Sequence, residues 1–298
     1  IAFETPLVYS NYLSSRFDAR VYLKLENLQR TGSFKFRGAY HKLTKIRDTL
    51  GPQGVVAASA GNHAQGVAHA AHLMSIPSSI VMPEWASISK QLATRSYGGQ
   101  VILAGKSLKE SLDQARTLEA EGRSFIHPYD DEDIMAGQGT IGLEIVSQLP
   151  EVETILIPVG GGGLIAGIAS AVKALRPQTS IIGVQSAMCT SVKAALRLGK
   201  PVSVPAKYSI ADGISVKEVG QRTFAIIQRL VDDMVSVEEE EIAAAMLELL
   251  ERKKILAEGS GAVPLAALMS KQLSNLRGRA VVLVISGGNV DTHLLARI

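Results

Sequence analysis

Cys189 is the only cysteine in the chain, which excludes an internal disulfide and any cysteine-built zinc cage. Charge of one sign is not in large excess either. The balance of 31 Lys and Arg against 28 Asp and Glu leaves a formal +3, scattered rather than gathered into a basic stripe with interleaved aromatics. Nucleic acid is therefore not an expected partner. No apolar run approaches the roughly 20 residues of a membrane-spanning helix, and no signal peptide opens the chain, so no membrane partner and a cytoplasmic location are expected. The six histidines show no metal-ligand spacing, and no metal is expected. There is no internal repeat and no low-complexity segment. The chain starts at Ile1 rather than Met, and Arg297-Ile298 end an apparent helix in mid-course, so continuation at either end is an open expectation. No C-terminal regulatory domain is read within the chain itself.

Apolar residues and glycine are plentiful: 46% of the 298 residues are hydrophobic and 27 are glycine, enough core for one large or two ordinary α/β domains. Four of the glycines are consecutive. Ile155-Leu156-Ile157 lead into Val159-Gly160-Gly161-Gly162-Gly163-Leu164, and an apolar stretch to Leu175 follows before Pro177. This reads as buried strand, glycine turn and buried helix. Without Cβ atoms, backbone N–H groups can close around an anion at the helix N-terminus, where the dipole favours negative charge. The alternative is tight strand–helix packing. A nucleoside-triphosphate loop would need a lysine that is missing here. Gly161, Gly163 and Ala166 fit dinucleotide spacing, but the next strand ends in Gln185 where an acidic residue should hold a ribose. A phosphate other than that of NAD is the expectation.

Strands and helices alternate along the chain, predicting an α/β fold with parallel sheets. Strands are expected at Val21–Leu25, Val55–Ala58, Ser79–Met82, Gln100–Ala104, Ser124–Ile126, Ile181–Val184 and Ala280–Ile285. Helices are expected at Phe34–Leu50, from the 59–63 turn through Met74, at Ser87–Tyr97, Leu108–Glu121, Asp133–Leu149 and Ser191–Leu198, and from the Ala211-Asp212-Gly213 turn to Leu230. Gly137, Gly139 and Gly142 would let helices pack closely. His127 to Asp131 reads as a crossing between domains. Ser236 to Glu239 reads as a capping box, with Arg252-Lys253-Lys254 at the far end of the same helix. Three strands end in small polar turns, at Ser59, Gly160 and Ser286. Ligands in open parallel sheets bind beyond strand carboxyl ends, so these turns are expected to line one cleft.

Lys35 lies between Phe34 and Phe36 at a helix start. The dipole opposes a cation there, which lowers a lysine's pKa and makes its amine a better nucleophile toward an aldehyde. The alternative is a surface lysine whose stem covers apolar area. A phosphorylated aldehyde cofactor needs both a lysine and an anion nest. Ser59-Ala60-Gly61-Asn62-His63 offers further helix N-terminal N–H groups for a carboxylate, or a plain N-cap; the Asn62 amide can donate to a ring hydroxyl. Ser286 could face a ring nitrogen or serve turn chemistry. His63 is not assigned proton transfer, and packing or solvent is the default for His41, His69, His72, His127 and His293.

The segments from Lys24 to Lys35 and from Ala58 to Gly66, Ala136-Gly137-Gln138-Gly139-Thr140, the glycine quartet and Ser286-Gly287-Gly288-Asn289 together make the chain resemble the threonine dehydratases (threonine ammonia-lyases). The resemblance spans essentially the whole chain and is strongest to the catabolic branch of this pyridoxal-phosphate-dependent family. It implies a fold type II, tryptophan-synthase-β-like architecture: a large domain of residues 1–31 and 131–298 and a small domain of 32–130. It implies Lys35 as the Schiff-base lysine of pyridoxal 5′-phosphate and as the base at the substrate's α-carbon. Phe34 and Asn62 would flank the ring, Gly160, Gly161, Gly162, Gly163 and Leu164 would hold the phosphate, and Ser286 would face the pyridine nitrogen with Glu258 near the ring. Ser59, Ala60, Gly61 and His63 would surround the substrate carboxylate, and Gly213 would border the substrate. The reaction implied is L-threonine to 2-oxobutanoate and ammonia, with L-serine to pyruvate as a secondary activity. A serine dehydratase or racemase is the alternative. Ala60 stands where racemases of the group carry a serine, and Gln185 where some relatives bind a divalent cation through a carboxylate. A homodimer or homotetramer and a nucleotide effector near Arg30-Thr31 are further implications.

Overall fold

The computed structural model describes residues 1–270, 272–273 and 276–298. Its elements run β1 (Leu7–Tyr9), α1 (Asn11–Phe17), β2 (Arg20–Leu25), α2 (Lys35–Ile46), β3 (Val55–Ala58), α3 (Asn62–Leu73), β4 (Ser78–Met82), α4 (Ile88–Ser96), β5 (Gln100–Leu103), α5 (Leu108–Ala120) and β6 (Ser124–Phe125). They continue with α6 (Glu132–Gln148), β7 (Thr154–Pro158), α7 (Gly163–Leu175), β8 (Ser180–Ser186), α8 (Ser191–Leu198), α9 (Gln221–Leu230), β9 (Asp233–Val237), α10 (Glu239–Glu248), α11 (Gly259–Met269), β10 (Ala280–Ile285) and α12 (Thr292–Leu295).

The strands form two sheets, a six-stranded one in the order β1-β2-β10-β7-β8-β9 and a four-stranded one in the order β5-β4-β3-β6. All pairings are parallel except β1 with β2. The central strands are apolar without alternation because helices cover both faces: every residue of β10, β7, β3 and β4 is buried.

The helices joining the sheets approach closely because glycines face one another. A Cβ on Gly137 would lie 2.6 Å from the Gly38 Cα, and one on Gly139 would lie 3.0 Å from the Gly167 carbonyl oxygen. These contacts seat α2, the helix that Lys35 opens, against α6, and α6 against α7. The expected role of Gly137, Gly139 and Gly142 is met, Gly142 standing against Ile168 and Val172.

Several local readings change. The capping box lies two residues later, between Glu238 and Glu241, because Ser236 is consumed by β9, where it pairs with Gln185. Beyond Gly213 the chain makes a 3-10 turn at Asp212–Ile214 and stays irregular until α9 starts at Gln221. Strand β1, helix α1 and helix α11 are additions. α1 is only seven residues long and is started by the Ser10 side chain accepting from Leu13 N–H. Ten of the eleven residues of α11 are buried, so it lacks the polar face that makes a helix legible by period. The basic end after α10 is there: the helix widens into a π-turn at Leu249–Lys253 and stops at Lys254 in the left-handed region.

Candidate active site

The loop before Lys35 is shaped by backbone conformation. Thr31 and Gly32 both have positive φ, 63° and 71°, an uncommon state for a β-branched residue. The turn after β10 holds them there. Asn289 Nδ2 donates to the Thr31 carbonyl at 2.7 Å, Gly288 N–H to the Gly32 carbonyl at 2.9 Å, and Phe34 N–H to the Ser286 carbonyl at 3.1 Å. Ser33 and Gly287 form an isolated bridge. Gly32 cannot carry a side chain, since its Cβ would meet Asn289 Oδ1 at 2.5 Å. Lys35 and Ser286, distant in sequence, thus belong to one rigid unit.

Asn62, the first residue of α3, joins the same unit. Its Oδ1 accepts from Asn289 Nδ2 at 2.8 Å and its Nδ2 donates to Glu258 Oε1 at 2.7 Å. Glu258, at the start of α11, donates its own N–H to the Gly287 carbonyl. Gly213 stands beside it, with an added Cβ 2.8 Å from Ser260 Oγ and 3.8 Å from Glu258 Oε1. Ser59 N–H donates to the Val81 carbonyl and Gly61 N–H to Ser59 Oγ, so the turn after β3 is pinned at both ends. Ala60 is half-buried, and a Cβ on Gly61 would meet open space. Among the described residues no side chain caps α3 or α7, so each helix start keeps its N–H groups for another acceptor.

The glycine loop is enclosed on two sides. A Cβ on Gly161 would run into the Tyr129 ring, and one on Gly163 would lie 2.9 Å from Tyr129 Cβ. On the other side a Cβ on Gly160 would come within 2.9 Å of the Ile214 Cα. Gly162, with φ 94°, needs glycine for conformation as well. The Gly161 carbonyl accepts from Thr223 Oγ1 at 2.8 Å, and α9 is in turn capped by the Asp130 carboxylate, which accepts from the N–H groups of Gln221, Arg222 and Thr223. The carbonyl of Gly161 is thus spent on the protein.

Lys35 Nζ donates to the Pro128 carbonyl at 2.8 Å and lies 5.2 Å from the centroid of the Phe34 ring. Tyr129, the next residue after Pro128, is the one packed on Gly161 and Gly163, so the amine and the glycine loop meet across a single dipeptide. Burial lowers the amine to about 8, with the Glu258 charge opposing. Burial, joined by the Asp212 charge, raises Glu258 to about 8, against the Asn62 hydrogen bond, Lys90 and the Asn289 N–H. His63 is held near 3 by burial and by the Lys35 charge. It is therefore neutral, and since a carbonyl only accepts, Nε2 carries the hydrogen given to the Ile126 carbonyl at 2.9 Å. Gln185 is engaged internally, donating weakly to the Val159 carbonyl and accepting from Lys193 N–H.

Lys35, Phe34, Asn62, Ser286, Glu258 and Gly213 are brought together by these contacts, and the Pro128-Tyr129 dipeptide links Lys35 to Gly161 and Gly163. Sequence reasoning missed His127, Pro128, Tyr129, Thr223 and Asn289. The stretch from His127 to Asp131 carried a signal, being dense in turn formers, but was read as a crossing and nothing more. The donors present suit a phosphorylated pyridine aldehyde: an amine of lowered basicity, an amide beside a carboxyl, a buried hydroxyl, and a glycine loop opening a helix whose N–H groups no side chain takes.

Residues 2–287 match the family described as pyridoxal-phosphate dependent enzyme. The chain is 50% identical to the L-threonine ammonia-lyase of Thermotoga maritima, over 100% of this chain and 74% of that protein. It is 50% identical to the protein of the same name from Geobacter sulfurreducens, over 98% of this chain and 73% of that one. Among solved structures, the processed form of threonine deaminase isoform 2 from Solanum lycopersicum superposes with a TM-score of 0.95 at 40% identity, covering 100% of this chain and 82% of that one. Maize serine racemase superposes with a TM-score of 0.95 at 34% identity, covering 99% and 91%. With its α/β fold of mainly parallel sheets, the chain belongs to the pyridoxal-phosphate dependent enzymes.

Proposed function

We propose that this protein is a threonine ammonia-lyase, converting L-threonine to 2-oxobutanoate and ammonia, with L-serine to pyruvate as a lesser activity. The observation that carries the reading is the Lys35 amine resting on the Pro128 carbonyl, one residue from the tyrosine that lies on the glycine loop. The family's cofactor, when bound, takes up the electron pair left at the substrate's α-carbon. Lys35 removes the α-proton: with its basicity lowered from the ordinary 10.5 to about 8, a minor but usable fraction of the amine is neutral near physiological pH, far more than for a solvated lysine, and available for general-base work. The N–H groups at Ser59, Ala60, Gly61 and the start of α3 bind the substrate carboxylate, and the neutral His63 backs that turn. Asn62 would hold the ring hydroxyl, and the N–H groups from Gly160 to Leu164 would hold the phosphate. Ser286, a buried neutral hydroxyl, would face the pyridine nitrogen. Glu258 stands beside the ring, and Gly213 borders the substrate.

On this reading the four-stranded sheet, within residues 32–130, is a small domain set into a large one of residues 1–31 and 131–298. A homodimer or homotetramer, a nucleotide effector near Arg30-Thr31 and a cytoplasmic location belong to the same proposal, supported by the identity to named threonine ammonia-lyases. The likeness to maize serine racemase raises racemisation as a second reading. The methyl group of Ala60 cannot carry a proton to the far face of the α-carbon, which favours elimination.

Reduction of the loaded protein with borohydride is expected to fix the cofactor to Lys35, and Lys35→Ala is expected to lower turnover of threonine at least about a thousandfold while the protein stays folded. A label elsewhere, or turnover surviving in Lys35→Ala, would overturn the assignment.

A further inference from the structure

We propose that His127 is a positioning residue for the Lys35 amine, its ring tying the 127–130 turn so that the Pro128 carbonyl holds the amine in one place. The inference rests on Lys35 being the base. His127 Nδ1 accepts two backbone N–H groups, that of Tyr129 at 3.2 Å and that of Asp130 at 2.8 Å. The ring is fixed edge-on to both Phe125 and Tyr129, with centroids 6.0 and 4.7 Å away. Proline at 128 fixes its own φ and leaves only its carbonyl to bond, which is the group that Lys35 uses at 2.8 Å. The turn is anchored beyond itself as well: Tyr129 lies on Gly161, and the Asp130 carboxylate caps α9. Lys35 has a flexible four-carbon stem. A single well-placed acceptor selects one of its rotamers, and with it the distance from the amine to the α-carbon.

The ring can play this part only while neutral, because a protonated imidazole has no acceptor to offer the two N–H groups. Burial, with the charges of Arg116 and Lys35, holds it near 4 against the pull of Asp130 and Asp131. With Nδ1 engaged by two donors and the hydrogen on Nε2, the ring has no free lone pair. It is not itself the base.

The test compares His127→Ala with His127→Asn in the cofactor-loaded enzyme. An asparagine carbonyl can accept from N–H groups two and three residues on, as in an Asx-turn, so the turn survives in the second variant alone. For His127→Ala the expected result is a kcat lowered roughly 10- to 100-fold, with KM within about threefold and the visible absorbance of the bound cofactor unchanged. For His127→Asn the expected kcat is within about threefold of wild type. His127→Ala with wild-type kcat would overturn the proposal, and so would His127→Asn as impaired as His127→Ala, since the ring would then be moving the proton itself. If His127→Ala does not fold or loses the cofactor, the Asn variant decides alone: near-normal kcat supports the turn, and a roughly 100-fold loss sinks it. Failure of the underlying reading shows separately, as turnover in Lys35→Ala.

Discussion

Helix α2 carries two cations two residues apart, Arg37 buried and Lys35 half-buried, and they live in opposite surroundings. Arg37 is saturated. It donates to Glu26 Oε1 and Oε2 at 2.8 Å each, to both carboxylate oxygens of Glu144, to Thr140 Oγ1 at 3.0 Å and to the Phe3 carbonyl at 3.0 Å. Lys24, fully buried beside it, completes the cluster through Glu144 Oε2, the Thr5 carbonyl and Gln148 Oε1. Lys35, by contrast, has one carbonyl and one aromatic face. Arg37 is pushed above its ordinary value by its two carboxylates in spite of burial; Lys35 falls to about 8. Loss of solvent lowers both, so the partners decide the outcome. Carboxylates on every side keep a cation charged and make it structural. A lone carbonyl leaves it ready to give up its proton, which is the condition a base needs.

Arg37→Met is the most severe way to break this comparison. It removes the cation and leaves Glu26 and Glu144 facing each other inside the protein. The expected loss is roughly 3–5 kcal/mol, read as a lower urea midpoint, and the N-terminal segment that Arg37 holds through Phe3 should become open to proteolysis. Lys35→Met should do the reverse. A lysine whose folded pKa lies below its unfolded one costs stability under all conditions where both states are protonated. That cost disappears as pH rises from about 8 to the ordinary 10.5. In cofactor-free protein the methionine variant should therefore be more stable at pH 7, by on the order of 3 kcal/mol, and its advantage should shrink to under about 1 kcal/mol by pH 10. Equal destabilisation by both substitutions would show that the two cations are not different in kind.

The same contrast explains what could be read from the sequence. Lys35 announced itself because it breaks a local rule, a cation at a helix start between two phenylalanines, and the glycine quartet because four glycines in a row are costly. The strand periods, the buried runs and the close-packing glycines of α6 were legible for the same local reasons. The Arg37 cluster was not, because its members are scattered over 140 positions, from Phe3 and Thr5 to Gln148, and each alone looks like an ordinary surface charge. The Asn62–Glu258–Asn289 chain of hydrogen bonds needs the tertiary fold in the same way. Helix α11 escaped because total burial erases periodicity, and β1 because three residues at a sheet edge are too few to show any.

Glu258 sharpens the comparison most gently, being a buried carboxyl that makes no salt bridge among the described residues. At neutral pH a carboxyl held up at about 8 is largely protonated, and glutamine is close to it in shape and charge. Glu258→Gln should thus keep turnover at pH 7 within about threefold, Asn62 Nδ2 still finding an oxygen where Glu258 Oε1 now sits. The sign for stability follows from the raised pKa. The unfolded chain releases the proton near 4.5 and the folded chain near 8, so wild type loses stability as pH rises through that window while the glutamine variant does not. Denaturation of cofactor-free protein at pH 5 and pH 7.5 should show the variant gaining on wild type at the higher value. A gap that stays constant, or a large loss of turnover at pH 7, would mean that Glu258 works as an anion and that Lys35 is, after all, half of a buried pair.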